Sequence, residues 1–174
     1  FGKITLAEAT ARSVNTVYVP LGIQVGPEKV VEVARRAGIP NSVAIDPYPS
    51  VVLGAASPHV IDVASAYATF AAQGVYAKPY FIQTVNGRNG GVLYEAKPQG
   101  EQVFDSAVMA DLTAALKGVV DIGSGFEAKK LKRPAAGKTG TSQENASAWF
   151  SGYTPNLATS VSFFAESASQ SLHG

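Results

Sequence analysis

The residues Gly137-Lys138-Thr139-Gly140-Thr141-Ser142 set a lysine, hydroxyls and two glycines in one short run. The run reads as a β-strand, where side chains two apart share a face. Lys138, Gly140 and Ser142 are therefore expected on one face and Thr139 and Thr141 on the other, unless a strand edge or bulge turns them. Gly140 would let a ligand or another backbone come close. A cation beside hydroxyls suits a carboxylate, and an open strand edge can pair with an extended peptide through its main chain. Alone, a K-T-G tripeptide is too short to be specific, and an ordinary strand is the plainer reading. A phosphate loop is excluded, because G-x-x-x-x-G-K-[ST] requires glycine at residue 132, which is Lys132.

Ser13-Val14-Asn15 is the second signal. It falls at a predicted helix break, where two polar side chains can turn into a cleft. The plainer reading is a helix end satisfied by local caps. The remaining chemistry-bearing residues are weaker. His59 and His173 are isolated and read as structural or solvent-facing. Trp149, Phe150 and Tyr153 flank the K-T-G strand and read as strand packing in preference to a substrate wall. Lys129 to Arg133 is a basic run that reads as a solvated loop, and Gly123-Ser124-Gly125 as a flexible break.

These residues need elements to hold them. Thr5 and Glu8 have capping-box spacing, so a helix is expected to about Arg12. A second apolar turn runs through Val17, Tyr18 and Leu21. Pro27 opens a helix whose apolar residues Val30, Val33, Ala34 and Ala37 recur at helical spacing, and Gly38 closes it. Asn41 to Pro58 reads as loop, because its prolines cannot sustain a helix. A helix follows from Pro58 to Gly74. Val75 to Val85 reads as a strand with an edge or bulge at Pro79. Val92 to Glu95 is a short strand, and Asp105 caps a helix through Leu112 and Leu116. Three β segments close the pattern: Ala135 to Ser142, Ala148 to Tyr153 and Ala158 to Ala165. Their short links make them antiparallel neighbours. The tail from Glu166 reads as loop. Helices first and strands last predict an α+β fold, with an antiparallel sheet sandwiched by helices.

Composition narrows the function classes. Fourteen Lys+Arg against thirteen Asp+Glu give a net charge of +1, which excludes a basic nucleic-acid binder. No apolar run is long enough to span a membrane, so the chain itself is expected to make no membrane contact. The absence of cysteine excludes disulfides, thiol catalysis and Cys-based metal sites. Charged residues are only 16% of the chain against about 25% in an average soluble domain. Surface that looks internal is expected to lack its cover.

S-x-N at 13–15 together with K-T-G-T at 138–141 resembles the second and third signatures of the penicillin-recognising serine acyltransferases. Four longer stretches are similar to class A, bifunctional-type penicillin-binding proteins. They are ATARSVNTVYV from Ala9, AYATFAAQG from Ala66, AGKTGTS from Ala136 and AWFSGYTPNLAT from Ala148. The resemblance implies a penicillin-binding/serine β-lactamase-like transpeptidase fold. It also implies a peptidoglycan DD-transpeptidase that cross-links stem peptides through a serine acyl-enzyme and is inhibited by β-lactam antibiotics. No cofactor or metal is implied, and the implied location is the extracytoplasmic face of a bacterial membrane, with the full-length protein membrane-anchored.

Three departures accompany the resemblance. No serine here has lysine three residues on, so the nucleophile motif S-x-x-K is absent. Ser147 stands where the family often has Asp. The helix that commonly follows the last strand is not recognisable. Residues 1–174 are thus expected to be the C-terminal part of one transpeptidase domain, completed by a companion segment that carries S-x-x-K.

The resemblance also implies roles, among them a hinge or site-edge role for Gly123-Ser124-Gly125, which stands where the family often has a Gly-Thr-Gly-like turn. Ser13 would relay a proton to the leaving amine, and Asn15 would hold the amide of the bound peptide. Lys138 would hydrogen-bond Ser13 and supply positive potential. The hydroxyls of Thr139 and Thr141 would bind the substrate carboxylate across Gly140, and the Thr141 N–H would form half of an oxyanion hole. A serine β-lactamase on the same fold would need Glu with Asn four residues on, and no Glu here has it. A non-catalytic sensor of β-lactam or wall peptide stays open, because the nucleophile lies outside the chain.

Overall fold

The computed structural model describes residues 2–142, 145–166 and 171–172. His173 and most of the tail read as loop lie outside them. Among these residues, five α-helices and seven strands follow in the order α1 (Leu6–Ala11), α2 (Asn15–Val25), α3 (Pro27–Ala37), α4 (Val60–Ala71), β1 (Val75–Ala77), β2 (Thr84–Asn86), β3 (Val92–Glu95), β4 (Gly100–Gln102), α5 (Ser106–Asp121), β5 (Ala136–Thr141), β6 (Ser147–Thr154) and β7 (Leu157–Phe164).

Local chemistry sets the helix boundaries. Thr5 caps α1 through its hydroxyl, which accepts from Glu8 N–H at 3.2 Å. Asp105 caps α5 by accepting from Ala107 N–H at 2.7 Å. Helix α4 begins at Val60 rather than Pro58, since His59 is its N-cap and its N–H donates to Asp62 Oδ2 at 3.0 Å. The predicted apolar turn after Ser13 is a full helix of 11 residues that continues through Pro20.

Three expectations are corrected. Val75 to Val85 is not one strand but β1 and β2, separated at residues 78–83. Pro79 has no N–H to give a ladder, and the chain turns away there. Strand β4 was not foreseen: it pairs antiparallel with β1, Val75 opposite Gln102. Two short 3-10 turns are also present: Pro49–Leu53 inside the stretch read as loop, and Phe126–Leu131, which runs into the basic segment read as a solvated loop.

The three C-terminal segments form one antiparallel sheet in the order β5-β6-β7. Its register places Lys138 opposite Ser151 and Ser151 opposite Ser160. One face carries Ala136, Tyr153 and Ala158, which pack with Leu116 and Val119 of α5 and with Tyr67, Phe70 and Ala71 of α4. Phe70 and Leu112 also belong to a second cluster around Ala37, Ala66, Phe104 and Met109. The two clusters are therefore continuous. Tyr153 is buried and its hydroxyl meets Thr113 Oγ1 at 2.8 Å, so this aromatic is core as expected. Among the described residues, β5 and β7 are the open edges of the sheet.

Candidate active site

The chain breaks between α1 and α2 at Ser13, which adopts a left-handed backbone with φ +56°. A non-glycine residue pays steric strain there, and such strain concentrates at functional sites. The turn carries the Ser13 hydroxyl to β5. Lys138 Nζ donates to Ser13 Oγ at 2.7 Å and to Thr139 O at 3.0 Å. Residues far apart in the sequence thus form one cluster, and two of the three lysine donors are used within it.

The ladder decides what β5 offers on its open side. Just beyond β5, Ser142 N–H donates to Ser147 O at 3.0 Å. In an antiparallel pair, ladder bonds fall on alternate residues. Gly140 opposite Trp149 and Lys138 opposite Ser151 therefore turn their main-chain groups toward β6. Thr139 and Thr141 turn theirs to the open edge. The carbonyl of Thr139 is free to accept from Lys138 for that reason, and the N–H of Thr141 points outward. The expected division of side chains between two faces holds, and the edge brings both sets within reach of one ligand.

The Thr139 hydroxyl meets Ser124 Oγ at 2.6 Å. Ser124 lies in the turn read as a flexible break, to which the resemblance adds a hinge or site-edge role, and its N–H donates to Ala11 O at 3.0 Å. Gly123 must be glycine in this arrangement, because an added Cβ would lie 2.0 Å from Ala11 O. Asn15 is the first residue of α2 and is exposed, and its side chain makes no hydrogen bond among the described residues.

Beside Lys138 a cavity of about 920 Å³ opens between the sheet and the helical layer. Its apolar wall includes Val30 of α3, Val51 and Leu53 of the first 3-10 turn, and Val63 of α4. Its sheet wall includes Trp149, which is half-buried. Trp149 thus lines the cavity as well as packing in the strand, where packing was the preferred reading. Its pairing with Gly140 explains the difference: no side chain opposite covers it. Ser162 Oγ is buried in the same wall and has no hydrogen-bond partner among the described residues.

Burial lowers the pKa of Lys138 below the ordinary lysine value. Tyr67, also on the cavity wall, is pushed up to about 12, first by burial and then by its neighbour Tyr153. Tyr67 is therefore a neutral phenol at physiological pH and offers no base. The basic run is tied down locally: Lys129 Nζ donates to Asp121 O at 3.1 Å and Lys130 pairs with Glu127. Among the described residues no group of three His, Asp or Glu side chains is placed to hold a metal ion.

The family description "Penicillin binding protein transpeptidase domain" matches residues 1–170. The chain belongs to the penicillin-binding protein transpeptidase family. Penicillin-binding protein 1A of Mycolicibacterium smegmatis is 39% identical over 181 residues, covering 92% of this chain and 23% of the relative. Penicillin-binding protein 1A of Aquifex aeolicus is 37% identical over 161 residues, covering 92% of this chain and 22% of the relative. The chain therefore spans less than a quarter of these relatives' length. Among solved structures, the penicillin-binding protein PonA1 from Mycobacterium tuberculosis superposes with a TM-score of 0.89 at 36% identity, covering 99% of this chain and 50% of that one. The same protein in complex with penicillin V gives 0.81 at 34% identity, covering 95% and 49%. The α+β transpeptidase fold expected from the motifs is the fold of these proteins.

Ser13, Lys138, Thr139, Gly140 and Thr141 lie together around the open edge of β5, with Asn15 two residues beyond Ser13 at the start of α2. Ser124 was assigned only to a hinge or the site edge, through the family resemblance, with no partner named. Its glycine neighbours announce a turn, but nothing in the sequence says which strand the turn touches.

Proposed function

We propose that this chain is the C-terminal part of a peptidoglycan DD-transpeptidase domain that cross-links stem peptides through a serine acyl-enzyme and is blocked by β-lactams. The observation that carries this reading is the 2.7 Å bond from Lys138 Nζ to Ser13 Oγ, beside an open β5 edge. It joins the S-x-N turn to the K-T-G strand, as a shared active site requires.

The nucleophile belongs to a companion segment of the parent protein carrying S-x-x-K. The cavity beside Lys138 supports a seat for that segment. The serine oxygen attacks the carbonyl of the penultimate D-Ala while the companion lysine takes its proton. The outward Thr141 N–H and the serine's own N–H hold the oxyanion. Removing one such donor costs on the order of 10²–10³ in rate. As the C–N bond breaks, the Ser13 hydroxyl passes a proton to the departing D-Ala amine. Lys138 replenishes and orients that hydroxyl, and its charge favours the unprotonated companion lysine. Asn15 holds the peptide amide, while the Thr139 and Thr141 hydroxyls take the terminal carboxylate across Gly140. An amine from a neighbouring stem peptide then attacks the ester and frees the serine. A β-lactam enters the same path, but its opened ring stays attached. This chemistry places the protein at the extracytoplasmic face of the membrane, where an anchor elsewhere in the parent holds it.

Fluorescent penicillin added to the parent protein tests the reading on a denaturing gel. Label is expected on the parent and, after cleavage ahead of Phe1, on the segment outside residues 1–174. Label on the 174-residue segment would overturn the placement of the nucleophile. Lys138→Ala is expected to abolish labelling, and a variant that labels at the wild-type rate removes the role given to the β5 edge.

A further inference from the structure

We propose that Ser124 is a positioning residue that fixes the Thr139 hydroxyl as a hydrogen-bond donor to the carboxylate of the bound peptide or β-lactam. The proposal rests on the transpeptidase reading of the site. The Thr139 hydroxyl has one proton and two lone pairs. Its 2.6 Å contact with Ser124 Oγ can be made with either oxygen as donor. If Thr139 donates to Ser124, it has only lone pairs left to show a carboxylate, and the two repel. If Ser124 donates, the Thr139 proton is directed elsewhere. A carboxylate at the β5 edge selects the second arrangement, and the chain Ser124 O–H to Thr139 O–H to carboxylate strengthens along its length.

Ser124 can do this because its position is set independently of β5. Its N–H is held by Ala11 O at 3.0 Å, and the next N–H, that of Gly125, is held by Val119 O at 2.9 Å. Gly123 approaches Ala11 so closely that no side chain fits between them. Ala11 ends α1, two residues before Ser13. The 123–125 turn therefore fastens the end of α1 with its main chain and β5 with a side chain. The Lys138–Ser13 bond links β5 to the turn that follows α1.

The parent protein tests this with two acylating ligands, benzylpenicillin and its methyl ester, which lacks the free carboxylate. The loss of one charge-assisted link is expected to slow acylation of Ser124→Ala by benzylpenicillin about tenfold. The methyl ester is expected to react with wild type and Ser124→Ala at equal rates, and Ser124→Thr to restore the benzylpenicillin rate. In a Thr139→Val background, Ser124→Ala is expected to add nothing, because its effect passes through Thr139. Equal losses toward acid and ester, or full additivity with Thr139→Val, would overturn the role of Ser124 and leave the transpeptidase reading intact. A wild-type parent that reacts with neither ligand would overturn the transpeptidase reading itself.

Discussion

Lys138 holds its charge where burial opposes it, with the Ser13 hydroxyl and the Thr139 carbonyl as its partners. Those two oxygens solvate the ammonium only in part, so its pKa is lowered in the folded state, while the unfolded lysine titrates near its ordinary value of about 10.4. Between the two values the unfolded chain binds more protons, so stability rises with pH across that window. Below the folded value both states are charged and the cost is constant. Chemical denaturation of wild type and Lys138→Met from pH 7 to pH 10.5 is therefore expected to show wild type gaining on the variant as pH climbs. A constant difference over that range would mean that the lysine is not desolvated. The same partial burial suits function: a lysine freely hydrated at the surface would supply little potential to the cleft, because water screens it.

At the scale of elements, the site is a junction between the end of α1 and the edge of β5, and the 123–125 turn secures it. Gly123→Ala forces a methyl group to within 2.0 Å of Ala11 O, so the turn or α1 must shift. Thermal or denaturant unfolding is expected to show a loss of about 1–3 kcal/mol, as for other overpacked sites. Penicillin acylation of the parent should fall with it, since the Ser13 turn moves with α1; a variant with wild-type stability would show that the junction yields. Helices α1, α3 and α5 were legible because caps and apolar spacing mark them, and β5 to β7 because their turns are short. Strand β4 was not: its three residues are all exposed, so Gly-Glu-Gln shows no alternation of apolar and polar side chains. The meeting of residues 13 and 138 was equally invisible to local pattern, which reports period but not partner. The family resemblance supplied that pairing. The resemblance offered the 123–125 turn a hinge or site-edge role but did not pair Ser124 with Thr139, because a two-glycine turn fits many neighbours.

Across the whole molecule, the low charge and the exposed surface are one observation. The sheet face opposite α4 and α5 carries Val161 and Phe163, which are 46% and 67% exposed, and Leu157 at its margin is 62% exposed. Strand β7 also leaves its outer edge unpaired among the described residues. Exposed apolar residues on an unpaired edge are a template for association with another chain. The 174-residue chain on its own is therefore expected to self-associate as its concentration rises, in sedimentation or light scattering. Replacing Phe163 with Lys should reduce association, because a charge on an edge strand opposes pairing. It should leave unfolding stability within about 0.5 kcal/mol, as for other surface substitutions. Wild type that stays monomeric at high concentration would show that this face is satisfied within the chain. Association that survives Phe163→Lys would move the sticky surface elsewhere, first to the hairpin of β2 and β3, where Val92 and Leu93 are also exposed.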